Sequence, residues 1–184
     1  MAFLKGGSLG LMFWLFTLTL AAPPAQAQPV TEQDIKAVFL FKFTNFVEWP
    51  SSAWQGTDPF RFCVAATKEM SAIIERTMKD ETVNGHVVEI RPVDAPEDAR
   101  RCHILFIGRS EMARAPALLG AVRDRPVLTV GESEGFLTEG GAIGFVLAER
   151  RVTFDINVAN AKRGGLSMSS RLLQVARRLE GISR

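Results

Sequence analysis

Cysteine and histidine are the scarce residues of this 184-residue chain, with two of each. No HExxH, no CxxC and no close His/Asp/Glu spacing is present, so the pattern holds nothing suited to a metal ion. Cys102 and His103 are adjacent, but neighbours on a strand point to opposite faces, which excludes a thiol–imidazole pair. His86 follows Gly85 at a turn and reads as a surface residue. No G-x-S-x-G elbow surrounds Ser169 or Ser170, and helix capping accounts for both. Asp155 and Glu48 lack an acidic companion for two-carboxylate chemistry. The glycine-rich stretch GESEGFLTEGGAIGF (131–145) lacks the lysine and Ser/Thr of a phosphate loop and leads into a hairpin instead of a helix. It reads as a flexible loop whose glycines allow positive φ. A formal net charge of +2 is too small for a nucleic-acid binder. With no catalytic constellation, no cofactor motif, no internal repeat and no low-complexity segment, the sequence points away from an enzyme.

What is present begins with an address. Lys5 is the only charge before the apolar run LGLMFWLFTLTLAA, which is followed by Pro23-Pro24 and a small-x-small site, Ala25-Gln26-Ala27. This is the pattern of a secretory signal peptide over 1–27, cut after Ala27, with a single domain over 28–184 and a periplasmic destination. An uncleaved anchor would need a longer apolar run, roughly 18 residues or more. The leader reframes the two cysteines, which lie in the strand-like runs FRFCVAA and RRCHILFIG. They could be inert core thiols, a reactive thiol and a bystander, half of a metal site, or a bridge. An oxidising compartment favours a structural Cys63–Cys102 disulfide.

Thr31 heads a capping-box pattern, TEQD, and the helix after it is expected to run through IKAVFLFKFTNFVEW to Pro50. Ile35, Val38, Phe39, Leu40, Phe43, Phe46 and Val47 fall on one broad apolar arc. Beyond it, FRFCVAA, HVVEIRPV, CHILFIG and PVLTVGE read as strands, with EMSAIIERTMKD and SEMARAPALLGAV as helices between them. AIGFVLAERRVTFDIN reads as a hairpin turning at Glu149-Arg150, Asn157 as a cap on a short helix ending at Gly164-Gly165, and RLLQVARRLEG as a last helix. Arg171, Arg177 and Arg178 read as the solvated face of that helix. The fold class expected is α/β, a three-layer sandwich with a largely parallel central sheet and a C-terminal antiparallel hairpin at one edge.

Some residues fit no core position. Phe41 points off the apolar arc, Lys36 sits inside it, and Trp49 and Trp54 flank a loop. An exposed aromatic cluster marks a contact surface, whereas a fold that covers the first helix on two sides would bury it. Lys36 either snorkels out of the arc or forms a buried ion pair.

Taken together, IKAVFLFKFTNFVEWP, CHILFIG, VLTVGESEGF, GGAIGF and RVTFDINVANAKRGGLSMSSRLLQVA resemble the YfiR family of periplasmic regulators. The resemblance implies a small secreted repressor of biofilm signalling. Such a protein binds the periplasmic sensor domain of an inner-membrane diguanylate cyclase and holds cyclic-di-GMP synthesis down. An outer-membrane, peptidoglycan-associated lipoprotein draws it away. Cys63 and Cys102 match the family's bridging pair. A second pair, which better-known members carry near the glycine loop, has no counterpart between Leu137 and Gly144. For partner contact the candidates are the aromatic helix and loop (Lys36, Phe41, Trp49, Trp54), the hairpin (Phe154, Ile156) and the last helix (Arg171), with a homodimer through the apolar first helix also open. A different class, a periplasmic small-ligand sensor, would place an apolar pocket near Trp49, Phe136 or Phe145 at the carboxyl edge of the sheet.

Overall fold

In the computed structural model, which describes residues 29–54 and 56–182, Thr31 caps the first helix as its sequence suggests. The signal-peptide segment lies outside the described residues. Thr31 Oγ1 accepts from the Asp34 amide at 3.2 Å, and the Asp34 carboxylate accepts from the Thr31 amide at 2.9 Å. This helix, α1 (Glu32–Phe43), stops six residues before Trp49. The Thr44 hydroxyl donates to the Phe41 carbonyl at 2.7 Å and closes the last turn. The chain then extends, and β1 (Val47–Glu48) pairs antiparallel with β9 (Ser167–Met168). A distant strand partner thus overrides the helical period, which nothing local to Asn45-Phe46-Val47 supports strongly.

The main sheet is built from β2 (Phe60–Ala65), β3 (Thr82–Val83), β4 (His86–Pro92), β5 (Ile104–Ile107), β6 (Leu128–Gly131), β7 (Ile143–Ala148), β8 (Arg151–Asn157) and β10 (Arg178–Glu180). Their order across the sheet is β10-β8-β7-β6-β5-β2-β4-β3. The five strands from β4 to β7 run parallel, joined by crossovers that include α2 (Lys68–Thr77) and α3 (Ala115–Val122). The chain goes from β2 outward to β4, then crosses back to β5, so a topological switch point lies between the carboxyl ends of β2 and β5. Side chains alternate across β2. Phe60, Phe62 and Val64 face the core under α1 and α2, while Cys63 and Ala65 face the core under α3. β5 is buried on both faces, as its unbroken apolar run predicts. The three layers and the mostly parallel sheet are those expected for this α/β sequence.

The hairpin β7–β8 turns at Glu149 and Arg150, both at positive φ (49° and 63°). It is not the edge of the sheet. After α4 (Val158–Arg163), capped by Asn157 as predicted, and β9, the last helix α5 (Ser170–Val175) is only six residues long. The chain then leaves the helix, and β10 lies parallel along β8, pairing Arg178 with Asp155 and Glu180 with Asn157. An unpaired β8 edge carries obligatory backbone donors and acceptors, and satisfying them outweighs extending a short helix.

Cys63 and Cys102 are bridged, with Cα atoms 5.8 Å apart and both residues buried. The bridge joins the centre of β2 to the segment entering β5.

Candidate interaction surface

The residues marked from sequence as contacts separate into three groups. Lys36 is the buried ion pair of the two alternatives. Its ammonium sits 2.5 Å from both Glu32 and Glu132, and the second oxygen of Glu132 accepts from the Arg109 amide at 2.8 Å. Burial pulls the Lys36 pKa down, but the hydrogen bonds and charges of Glu132 and Glu32 outweigh it, and the net shift is upward. The clasp spans the switch-point crevice, which is also lined by Thr67 and Gly108, and ties α1 to the ends of β5 and β6.

Trp49, Phe154 and Ile156 are interior. Trp49 is 7% exposed, and its indole N–H donates to the His103 carbonyl at 3.1 Å. Phe154 packs edge-on to Phe43 at 5.0 Å, and Ile156 is fully buried beside it in the α1-side core. In this arrangement none of the three offers a surface to a partner. Phe41 and Trp54 are half-buried against the same core. Trp54 stacks on His86 at 4.8 Å and on His103 at 5.3 Å, so His86 joins an aromatic stack instead of standing free at its turn. His103 Nδ1 accepts from the Arg61 amide, leaving Nε2–H to donate to the Ala53 carbonyl. Burial lowers the His103 pKa, and the imidazole is neutral. Arg171 is exposed in the first turn of α5 and forms no ion pair among the described residues.

Of the alternatives Trp49, Phe136 or Phe145 for an apolar small-ligand pocket, Phe136 and Phe145 border one cleft of about 490 Å³, but its wall includes Arg109, Glu132, Asp155, Arg177 and Arg178 and is charged instead of apolar. Trp49 packs on Phe60, where β2 begins. Phe145 joins Phe39 and Phe43 under α1, and Phe136 fills the opposite core. The glycine loop has the expected positive φ at Gly135 (87°) and Gly140 (111°), but it is also packed against its surroundings. A Cβ on Gly131 or Gly141 would come within 2.5 or 2.2 Å of the Phe136 ring, so the two glycines form the slot that holds it. Asn160 Nδ2 donates to the Leu137 and Gly141 carbonyls, each at 2.8 Å, and pins the loop. Arg177 and Arg178 are not a solvated helix face. Arg177 holds the buried Asp155 carboxylate through two hydrogen bonds, and Arg178 reaches it at 3.3 Å. Among the described residues no cluster of three His, Cys, Asp or Glu is placed to hold a metal.

What the structure exposes lies on the outer side of α1. The core takes the stripe Lys36, Ala37, Leu40 and Phe43, which leaves Ile35 38% and Val38 48% exposed. With Phe39, Phe46, Leu172 and Val175 they line an open apolar groove between α1 and α5, about 420 Å³ in volume, floored by Phe43 and Phe154. Val175 is 68% exposed at its mouth, and Asp34 and Lys42 are the charged groups at its rim. The broad sequence arc hid this groove, since a period alone cannot say which half of a two-sided apolar helix is covered. The available signal was Lys36 itself. A lysine inside an apolar stripe marks the side that has carboxylate partners, which is the protein side.

A family model described as YfiR/HmsC-like matches residues 33–177, from the second residue of α1 to the residue before β10. The chain belongs to the YfiR/HmsC-like family. Its members are periplasmic regulators in the diguanylate cyclase pathway, a non-catalytic class. Among solved structures, a conserved domain protein from Vibrio cholerae O1 biovar El Tor superposes with a TM-score of 0.58 at 8% identity, over 81% of this chain. This YfiR/HmsC-like chain spans 60% of that structure's length, and the likeness concerns the fold alone. A weaker match, TM-score 0.46 at 11% identity, is the ABC domain in complex with L-Trp from Streptococcus pneumonia; it covers 66% of this chain and 55% of that one. In this YfiR/HmsC-like chain the cysteine-free glycine loop is closed by Phe136 and Asn160, and Cys63–Cys102 is the bridge the described residues contain.

Proposed function

We propose that this chain is a non-enzymatic periplasmic repressor. It binds the periplasmic sensor domain of an inner-membrane diguanylate cyclase and lowers cyclic-di-GMP synthesis. The observation that carries this reading is the open apolar groove between α1 and α5, in a chain whose buried charges Lys36 and Asp155 are already paired within the fold. Soluble domains rarely leave a contiguous apolar face uncovered unless it meets something. A repressor of this kind works only through a difference in affinity between the inactive and active forms of its target. An outer-membrane lipoprotein that competes for the regulator relieves repression by mass action. Nothing in that role needs a catalytic group.

The test is capture from detergent-solubilised inner membrane with oxidised protein beginning at Gln28, beside the Val38→Glu and Val175→Glu variants. Retention of a diguanylate cyclase by the parent and its loss in both variants supports the groove as the docking surface. Equal retention by all three proteins refutes the groove. No cyclase retained by the parent refutes the repressor reading.

A further inference from the structure

A second concavity, about 440 Å³, opens at the amino ends of β2, β5 and β6, away from the switch-point crevice at their carboxyl ends. Arg61, Arg100, Arg101 and Arg125 converge on it, with Ser52 and the neutral His103 also in its wall. No aspartate or glutamate lines it. Elsewhere in the molecule some guanidinium groups are met by acids, as in Arg76–Asp34, Arg91–Glu89, Arg114–Glu111 and Arg177–Asp155, while Arg109, Arg123, Arg150, Arg151, Arg163 and Arg171 stand singly with no ion pair among the described residues. Around this cleft only Arg61 is paired, to Asp58 at 2.6 Å. Arg100, Arg101 and Arg125 have no carboxylate within ion-pair distance among the described residues.

The backbone that carries these cations is held in place. Arg100 and Arg101 end a 3-10 turn (Asp98–Arg101) that runs directly into Cys102, so the disulfide anchors them to β2. The nearest acid on that turn, Asp98, is committed to its own backbone, accepting from the amides of Asp94 and Ala95. Arg125 sits on the turn between α3 and β6. Its carbonyl accepts from the Val127 amide at 2.7 Å and packs against Gly164, where an added Cβ would meet it at 2.1 Å. His103 adds no charge, since its ring nitrogens are engaged with the Arg61 amide and the Ala53 carbonyl. The result is a cleft whose backbone is held in place, with the exposed cations Arg100, Arg101 and Arg125 at its wall and no acid lining it. Its volume is in the range of small-molecule sites, roughly 300–1,000 Å³. Guanidinium forks match the oxygens of phosphate in two-point contacts, and several together select a multiply charged anion over a single carboxylate.

We infer that this cleft is a binding site for a phosphate-bearing anion, either a free phosphorylated small molecule or the phosphodiester headgroup of an anionic lipid. The site is separate from the apolar groove and does not depend on the identity of the protein partner.

The test titrates the oxidised protein beginning at Gln28 with pyrophosphate at low and at physiological salt by calorimetry. In parallel, the protein is sedimented with vesicles of phosphatidylglycerol or of phosphatidylcholine. The variants are Arg100→Glu/Arg101→Glu, the milder Arg125→Gln, and a charge-matched control at the hairpin tip, Arg150→Glu/Arg151→Glu. The expected result is saturable binding that weakens about tenfold or more in the first double variant and measurably in Arg125→Gln, with the control unchanged. Binding of pyrophosphate identifies a free ligand. Sedimentation with phosphatidylglycerol alone, with the same dependence on the variants, identifies the headgroup. Circular dichroism and the intact bridge establish that each variant is folded. No binding in either arm overturns the inference, and so does an equal loss in the control, which would mean net charge and not a site.

Discussion

Replacing both cysteines, Cys63→Ala with Cys102→Ala, isolates the contribution of the bridge. The two residues are 39 apart in sequence, and they already lie side by side in the folded protein, on β2 and at the entry to β5. The bridge therefore adds few contacts and acts mainly by removing open conformations of the unfolded chain. The loop-closure relation gives about 4 kcal/mol for a loop of this size. A domain of this length shifts in Tm by about 2–4 °C per kcal/mol, so the double variant should melt about 8–16 °C below the oxidised parent. Thermal unfolding followed by circular dichroism, with and without reductant, measures it. Reductant should lower the parent to the level of the variant and leave the variant where it is. Both residues are buried, so alkylation of the native protein should label neither thiol, and denaturation without reductant should still label none. A parent whose melting is insensitive to reductant, or native thiols that label fully, would refute the bridge as a stabilising element.

The Lys36 clasp is expected to behave as a unit. Lys36→Met leaves the Glu132 carboxylate largely enclosed without its cation and should cost about 3 kcal/mol in urea unfolding, whereas Lys36→Met/Glu132→Gln should recover part of that loss. A double variant no better than the single one would dismiss the coupling. The raised Lys36 pKa sets the sign of the pH dependence: the clasp is fully present below the ordinary lysine value of 10.5 and weakens as pH rises through the higher folded value. His103 has the opposite consequence. Its folded pKa is depressed by burial, so the unfolded chain takes up a proton first, and stability should fall as pH drops below the ordinary histidine value of 6.5. His103→Gln should flatten that acid limb, and an unchanged slope would assign it to other groups. Val38→Glu and Val175→Glu alter exposed positions and should change stability by no more than about 0.5 kcal/mol, so loss of cyclase capture in these variants reports contact and not unfolding.

Most of the scaffold was legible in the residues. The period-two and unbroken apolar runs located β2, β4, β5, β6 and the β7–β8 hairpin, and Thr31, Asn157 and the pair Ser169-Ser170, of which Ser169 is the cap, marked three helix starts by capping chemistry that operates within a few residues. The two cysteines, taken with an oxidising compartment, were enough to name their bond. The misses all involve a partner far along the chain. Val47–Glu48 left the helical pattern because Ser167–Met168 lies beside it, and Arg178–Glu180 did so because β8 had an open edge. The burial of Trp49 and Phe154 is not legible in the residues, because a large apolar side chain looks the same in sequence whether a neighbour covers it or not.

By itself, then, the sequence determined which segments avoid water, where helices can begin and which two thiols can meet. These properties depend on composition and on spacing over a few residues. Only the tertiary structure decided which half of α1 is covered and that Phe136 needs Gly131 and Gly141 around it. It alone brought Arg61, Arg100, Arg101 and Arg125, drawn from three separate segments, to one cleft. Burial and charge convergence are properties of the packed chain, and no local pattern encodes them.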